Sequence, residues 1–297
     1  MGRINQLKKI ATDPRWWSFY VQRRFMSPGR RNRLADFIAR FRPKMESIDP
    51  KAAKIGLESL HGAGIHSLGQ LLTSEQCAEL LDYFKSKQVK DPYRSEHAAF
   101  LPLSGGRHPE GHIAHHDGAD IANAPYLMNL ANDPRILNIV GAFLGCKPTI
   151  GYMASWWSYP TSSGAQQAEN YHRDVDDWRF IKLFVYLTDV GLESGPHKYV
   201  SYSAGKPLLS ETRRFDDEEV ANAFGKENIL TMTSNAGEGF LEDTFGIHKG
   251  QPVKEGHRLL FQVVYTLAPL PYAPAKPVVE TSETETYDPW INRVYLG

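Results

Sequence analysis

Two kinds of hydrophobic spacing follow one another along the chain. Near the N-terminus, Trp17, Val21 and Phe25 recur every four positions with Tyr20 beside them, and Leu34, Ile38 and Phe41 repeat the pattern. That is the period of a helix face, and Ser27-Pro28-Gly29 breaks the two segments because proline and glycine punctuate helices. Residues 73–87 predict another helix: Thr73 and Gln76 have capping-box spacing, and Cys77, Leu80, Leu81 and Phe84 form the apolar stripe. Residues 125–145 predict two short helices, the second starting near Asp133-Pro134, where a proline sacrifices no helical hydrogen bond. After Gly145 the texture changes. Short runs rich in Val, Ile, Tyr, Phe, Trp and Thr, at 148–159, 179–190, 197–202, 229–233, 238–248 and 257–267, alternate with Gly, Pro and Asn breaks. Such a series predicts an all-β sandwich or barrel, interrupted by one helix over about 216–224. No internal repeat is present. The expected fold class is mainly β with flanking helices. A helical extension covers residues 1–48, and one domain covers 49–297 with its β core at about 146–270.

Composition changes this picture only at the extension. With 297 residues, 41% hydrophobic and 23% charged, the chain is ordinary globular protein. It has no apolar run long enough to span a bilayer and no apolar core of a secretory signal. Cys77 and Cys146 are too few for a disulfide framework, so reduced thiols in a cytoplasm are expected. The net charge of zero conceals an asymmetry: residues 1–44 hold twelve Lys or Arg against Asp13 and Asp36. A basic arm on an acidic body points to an anionic partner or to docking on the body itself, and docking is the preferred reading. Because basic amphipathic helices bearing Trp and Phe also lie on membrane interfaces, peripheral contact with an inner membrane surface stands beside it. No nucleic-acid partner is expected.

The chemistry centres on Asn170-Tyr171-His172-Arg173-Asp174. On an extended strand, residues i and i+2 share a face, so His172 and Asp174 would offer an imidazole nitrogen and a carboxylate oxygen to one point. His248, within Asp243-Thr244-Phe245-Gly246-Ile247-His248-Lys249-Gly250, supplies a third ligand. Two histidines and one carboxylate on one face of an ion leave the remaining positions open, as in non-haem Fe(II) oxygenases. His-x-Asp alone is a weak signal. Arg258 sharpens it, ten residues past His248 on a run of strand composition. Its guanidinium is permanently charged and its fork matches a carboxylate, as a metal-chelating dicarboxylate would require.

With these residues in place, the stretch from about 150 to 267 resembles the phytanoyl-CoA dioxygenase (PhyH-like) family of Fe(II)/2-oxoglutarate oxygenases. The likeness rests on His172-x-Asp174, on Tyr186-Leu187-Thr188-Asp189-Val190 through Gly195-Pro196-His197, and on His248-Lys249-Gly250-Gln251-Pro252 with Gly256-His257-Arg258. The resemblance implies a double-stranded β-helix (jelly-roll, cupin-like) core. It also implies His172, Asp174 and His248 as iron ligands, and Arg258 on the distal carboxylate of 2-oxoglutarate. The cofactors implied are Fe(II), 2-oxoglutarate and O2, with release of succinate and CO2. Halogenating relatives lack the carboxylate ligand; Asp174 is present, so hydroxylation of an aliphatic C–H is the expectation. The family's usual turn after the Gly-Pro motif reads Ser201-Tyr202-Ser203-Ala204-Gly205 here, a departure on the substrate side.

Other residues compete for roles. His115-His116-Asp117 contains a second His-x-Asp, and His172 and Lys182 reproduce the ten-residue interval with a poorer clamp. Trp178, four residues after Asp174, is a candidate cover for the co-substrate; Lys182 is a second anion contact or a solvent-facing residue. Thr244 is a candidate to steady the His248 strand or to hydrogen-bond 2-oxoglutarate. His115 or His116 could line a substrate pocket, Trp156 and Trp157 read as packing, and residues 90–118 read as a polar lid. The substrate expected is a small molecule, or one linked to a glycan or lipid. The rivals are a cupin-type metal-dependent hydrolase or isomerase, needing a third His or a Glu in place of the Arg, and a silent binding protein. The oligomeric state is not legible in the sequence.

Overall fold

A computed structural model of the chain describes residues 3–162, 164–279 and 287–296. The extension forms helices α1 (Arg3–Thr12), α2 (Arg15–Gln22) and α3 (Pro28–Ala39). Next come α4 (Pro50–Gly62), β1 (Ile65–Gln70), α5 (Ser74–Lys85), β2 (Val89–Lys90) and β3 (Ile113–His116), then α6 (Gly118–Ala122), α7 (Leu127–Ala131) and α8 (Pro134–Leu144). The capping box of α5 closes as expected, with the Thr73 hydroxyl accepting from Gln76 N and the Gln76 side chain accepting from Thr73 N. Helix α8 starts on Asp133 and Pro134 and ends on Gly145, whose φ of 75° suits a residue without Cβ. The remaining elements are β4 (Thr149–Ser158), β5 (Phe180–Tyr186), β6 (His197–Val200), α9 (Asp217–Phe224), β7 (Ile229–Met232), β8 (Glu238–Glu242), β9 (His248–Gly250), β10 (Arg258–Thr266) and α10 (Pro289–Asn292).

The strands make two antiparallel sheets, ordered β1-β8-β5-β10-β4-β3-β2 and β7-β6-β9. The His172 segment extends the smaller sheet: His172 and His248 face each other across an antiparallel bridge. This is the jelly-roll, a double-stranded β-helix with helices flanking the larger sheet. Period-2 alternation assigns the two faces of that sheet. On β10, Leu259, Phe261 and Val263 join the main core, which also contains Ile136, Val140 and Leu144 of α8. Arg258, Leu260 and Gln262 turn to the other face, where the smaller sheet covers them. Strand β5 divides in the same way, with Ile181, Leu183 and Val185 in the core and Lys182 and Phe184 opposite.

Two sequence expectations need correction. The β core does not begin near residue 146: β1, β2 and β3 belong to the larger sheet, β1 paired to β8 and β3 to β4. These strands are two to six residues long without clean alternation, and pairing with an existing edge makes them strands. The run 238–248 is also two strands. Asp243 turns the chain between them, its main-chain oxygen accepting from Gly246 N at 2.9 Å and its carboxylate from Phe245 N at 3.1 Å.

The extension docks on the body. Gln22 Nε2 donates to Val175 O at 3.2 Å, and the buried Arg31 donates to Gln22 O, Gln22 Oε1 and Asp177 O. Phe25 packs on Trp178 with ring centroids 5.5 Å apart, and Phe19 on Tyr272 at 5.9 Å. Trp17, Phe37 and Phe41 remain exposed on its outer side. No helix among the described residues is long and apolar enough to cross a membrane.

Candidate metal centre

His172 and His248 are a hydrogen-bonded antiparallel pair: each main-chain N–H donates to the other's carbonyl at 3.0 Å. Directly opposed residues carry side chains on one face, and here the imidazole centroids lie 4.3 Å apart. Asp174, two residues on, returns to that face, its N–H held by Thr244 O at 2.9 Å. Arg173 points the opposite way, spending its guanidinium on the carbonyls of Leu209, Phe245, Ser203, Lys206 and Leu208. The alternation that converges the ligands therefore also fastens the loops behind them.

The ligand atoms of His172, Asp174 and His248 all lie within 4.8 Å of one another. His172 Nδ1 lies 2.9 Å from Asn170 O, and His248 Nδ1 lies 3.0 Å from Gly246 O. A carbonyl only accepts, so Nδ1 carries the hydrogen and each Nε2 lone pair is aimed at the common point. His248 Nε2 is 3.2 Å from Asp174 Oδ2, and His172 Nε2 is 3.5 Å from Oδ1. Burial, with His248 alongside, pushes His172 down to about 4, keeping it neutral. Burial also acts to lower His248, but the Asp174 carboxylate reverses this and raises it. Burial acts to raise Asp174, yet Lys182 and the two histidines hold it well below its usual value. Lys182 Nζ lies 2.6 Å from Asp174 Oδ2 and 3.0 Å from Asp176 Oδ2, so it is an inward cation committed to the protein's own carboxylates.

A cavity of about 200 Å³ opens over these atoms. Its walls come from the inward positions of the large sheet: Ile113 and His115 of β3, Tyr152, Ala154 and Trp156 of β4, Lys182 and Phe184 of β5, and Arg258, Leu260 and Gln262 of β10. Arg258 is buried beside its register partner Ser158, donating to Ser158 Oγ at 3.0 Å. Its Nε has no hydrogen-bond partner and no carboxylate lies within ion-pair distance among the described residues. A buried guanidinium so placed offers donors for an anion inside the cavity. His112 Nε2, 2.7 Å from Glu169 Oε2, ties the 90–118 loop to the segment leading into His172.

The other expected residues separate. Trp178 is absent from the cavity and packs under Phe25 and Arg31 of the extension. That corrects the expectation of a co-substrate cover: the chain bends after Asp174, so strand alternation does not carry through to residue 178. Thr244 also lies outside the cavity lining; its hydroxyl is buried without a partner, and its main-chain oxygen supports Asp174. In the second His-x-Asp, His115 stacks on Trp156 inside the cavity, His116 accepts from Trp157 Nε1 at 2.9 Å, and Asp117 caps α6. Those three do not converge. Sequence reasoning missed Glu169 and Glu242; it also quoted His197 only as part of a motif. His197 lines the cavity and bonds Glu242 at 3.0 Å. The one signal in the sequence was a glutamate at the end of the apolar run Gly239-Phe240-Leu241, and its partner lies 45 residues away.

No family model matches the chain, and no curated protein sequence does. Solved structures do. The non-heme alpha ketoglutarate dependent epimerase SnoN from nogalamycin biosynthesis superimposes with a TM-score of 0.53 at 18% identity, covering 78% of this chain and 94% of its own. HygX from Streptomyces hygroscopicus, solved with nickel and 2-oxoglutarate, gives 0.51 at 15% identity over 80% and 93%. The alpha ketoglutarate dependent carbocyclase SnoK from nogalamycin biosynthesis gives 0.50 at 14% over 84% and 95%. These likenesses establish the jelly-roll fold.

Proposed function

We propose that the chain is an Fe(II)- and 2-oxoglutarate-dependent oxygenase of the PhyH-like kind that hydroxylates an aliphatic C–H of a small molecule. The observation that carries this is one cavity holding three convergent ligands at one end and a buried, anion-free Arg258 in its wall. The donor set fits a ferrous ion: two imidazoles and one carboxylate, leaving positions for a bidentate co-substrate and O2. The solved structures with this fold include three described as alpha ketoglutarate dependent or as 2-oxoglutarate-bound.

Bound iron with 2-oxoglutarate would supply oxidative decarboxylation of the keto acid, releasing succinate and CO2, coupled to oxidation of a C–H bond. The chain's own part is positional. His172 and His248 hold Nε2 lone pairs in place through main-chain bonds to Nδ1. Lys182 fixes the orientation of the Asp174 carboxylate and balances its charge. Arg258, steadied by Ser158, offers its fork to the distal carboxylate of the co-substrate. Phe184, Leu260, Ala154 and Trp156 make the surrounding wall apolar, which keeps water from the reacting centre. A cupin-type hydrolase is less well matched, because Arg258 stands where that reading needs a further His or Glu.

Anaerobic addition of Fe(II) and 2-oxoglutarate should give a weak visible charge-transfer band. The band should vanish in His172→Ala. Arg258→Ala should weaken 2-oxoglutarate binding by about 2 kcal/mol or more, since a buried charged contact is lost. His116→Ala should keep the band. A band that survives Arg258→Ala at wild-type affinity, or that His116→Ala abolishes, would sink this assignment. With turnover substrates, a product one oxygen heavier separates hydroxylation from epimerisation or ring closure.

A further inference from the structure

Asp174 lines two spaces. One is the metal cavity; the other is a cleft of about 310 Å³ bordered by Arg23, Thr212, Arg213 and Arg214. The backbone explains how the arginines gather there. Phe215 pairs antiparallel with Tyr171, its N–H donating to Tyr171 O at 2.9 Å. Arg214 immediately precedes Phe215, so this bridge brings it beside the Tyr171–His172 segment. Arg213, which also borders the cleft, pairs with Glu219 at 2.6 Å. Arg214 is close enough to bear electrostatically on both His172 and Tyr93, and Tyr93 lines the metal cavity. Arg23 arrives from the end of α2, anchored through Gln22 on Val175, and its guanidinium rests on the Phe19 ring at 4.1 Å.

Among the described residues, no carboxylate lies within ion-pair distance of Arg23 or Arg214. Asp174, the one acid in the cleft wall, is already neutralised by Lys182. Two unpaired guanidiniums therefore face the same space, reinforced by the basic surplus of the extension. A guanidinium is the side chain that best forks onto an oxyanion, and a charged cleft concentrates ligands of opposite sign. Resting on the metal-centre reading above, we infer that the substrate carries a phosphate or carboxylate group, seated by Arg214 and Arg23, while its oxidised carbon reaches past Asp174 into the metal cavity. The docked extension thereby completes the substrate site.

The test titrates the full chain, loaded anaerobically with Fe(II) and 2-oxoglutarate so that Arg258 is occupied, with phenyl phosphate and separately with benzoate. Saturable binding of either anion is expected, about tenfold weaker in Arg214→Gln and several-fold weaker in Arg23→Gln, as loss of one charge-assisted contact implies. The charge-transfer band should persist in both variants. Tighter phenyl phosphate assigns a phosphate, tighter benzoate a carboxylate. Equal affinity in wild type and both variants, or no saturable binding, overturns the proposal. So does salt-sensitive co-sedimentation with phosphatidylserine vesicles that both substitutions abolish while neither small anion binds, which would give the cleft to a membrane surface. A wild type without the band would instead remove the metal-centre reading, and the same titration on metal-free Arg258→Gln protein would still decide the cleft.

Discussion

Glu242 and His197 meet inside the protein, the glutamate fully buried on β8 and the histidine in the cavity wall. Burial, aided by the charges of His248 and Arg258, holds His197 well below its ordinary value; burial pushes Glu242 up to about 8. At neutral pH the protonated carboxyl therefore donates to an uncharged His197 Nε2. A carboxyl raised in the folded state contributes stability that is complete below its ordinary range near 4.5, and that is lost as pH rises through about 8. Glu242→Gln keeps a donor and removes the titration. The unfolding free energy of the wild type, from urea titrations at each pH, should fall relative to Glu242→Gln across about pH 5–8, by no more than about 1.4 kcal/mol per pH unit, and then run parallel. A gap that is constant over that range would show the carboxyl to be ionised throughout. At this scale the approach of His172 and Asp174 was legible because they are two residues apart in extended chain. Glu242 was not, because nothing local to it signals a partner on a strand of the other sheet.

Among the elements, the bend between the ligand segment and β5 carries more than its length suggests. Asp177 Oδ2 accepts from Leu267 N at 2.8 Å and Ala268 N at 3.1 Å, and Oδ1 accepts from Trp178 N at 2.8 Å. One carboxylate thus fastens the end of β10 to the start of β5, and so the strand of Arg258 to the segment of Asp174. Asp177→Ala leaves three N–H groups, the Leu267 one fully buried, without acceptors and should lower unfolding stability in urea by about 2–4 kcal/mol, with Asp177→Asn in between. An unchanged midpoint for Asp177→Ala would show that water replaces the carboxylate without cost. Strands β4, β5 and β10 were visible as long apolar runs, and helix α5 through its capping box. Strands β1 and β3 were not, since a short edge strand takes its conformation from the neighbour it pairs with. The same bend explains Trp178: spacing of four predicts nearness to Asp174 only if the chain stays regular.

For the molecule as a whole, the extension is a brace against the segment that follows His172 and Asp174. Gln22 holds Val175, and Arg31 holds Asp177 while its guanidinium lies 4.7 Å from the Phe245 ring centroid. Arg31→Ala removes the buried guanidinium that bonds both Gln22 and Asp177. Limited trypsin digestion should then cut the arginine-rich 23–44 region at least about tenfold faster, because cleavage follows the population of the detached state. Cleavage at the wild-type rate would mean that the aromatic contacts of Phe19 and Phe25 hold the arm unaided. Sequence by itself determined the fold class and the shared face of His172 and Asp174, because strand alternation and short spacing are local properties of the backbone; it offered His248 and Arg258 as candidates through motif resemblance. Tertiary structure alone decided where the basic arm lies, which histidine of the 115–116 pair reaches the cavity, that Lys182 serves Asp174, and that Arg23 and Arg214 share a cleft. Those facts depend on how sheets, loops and an N-terminal helix close around one another, and contacts between distant segments leave no periodicity in a single chain.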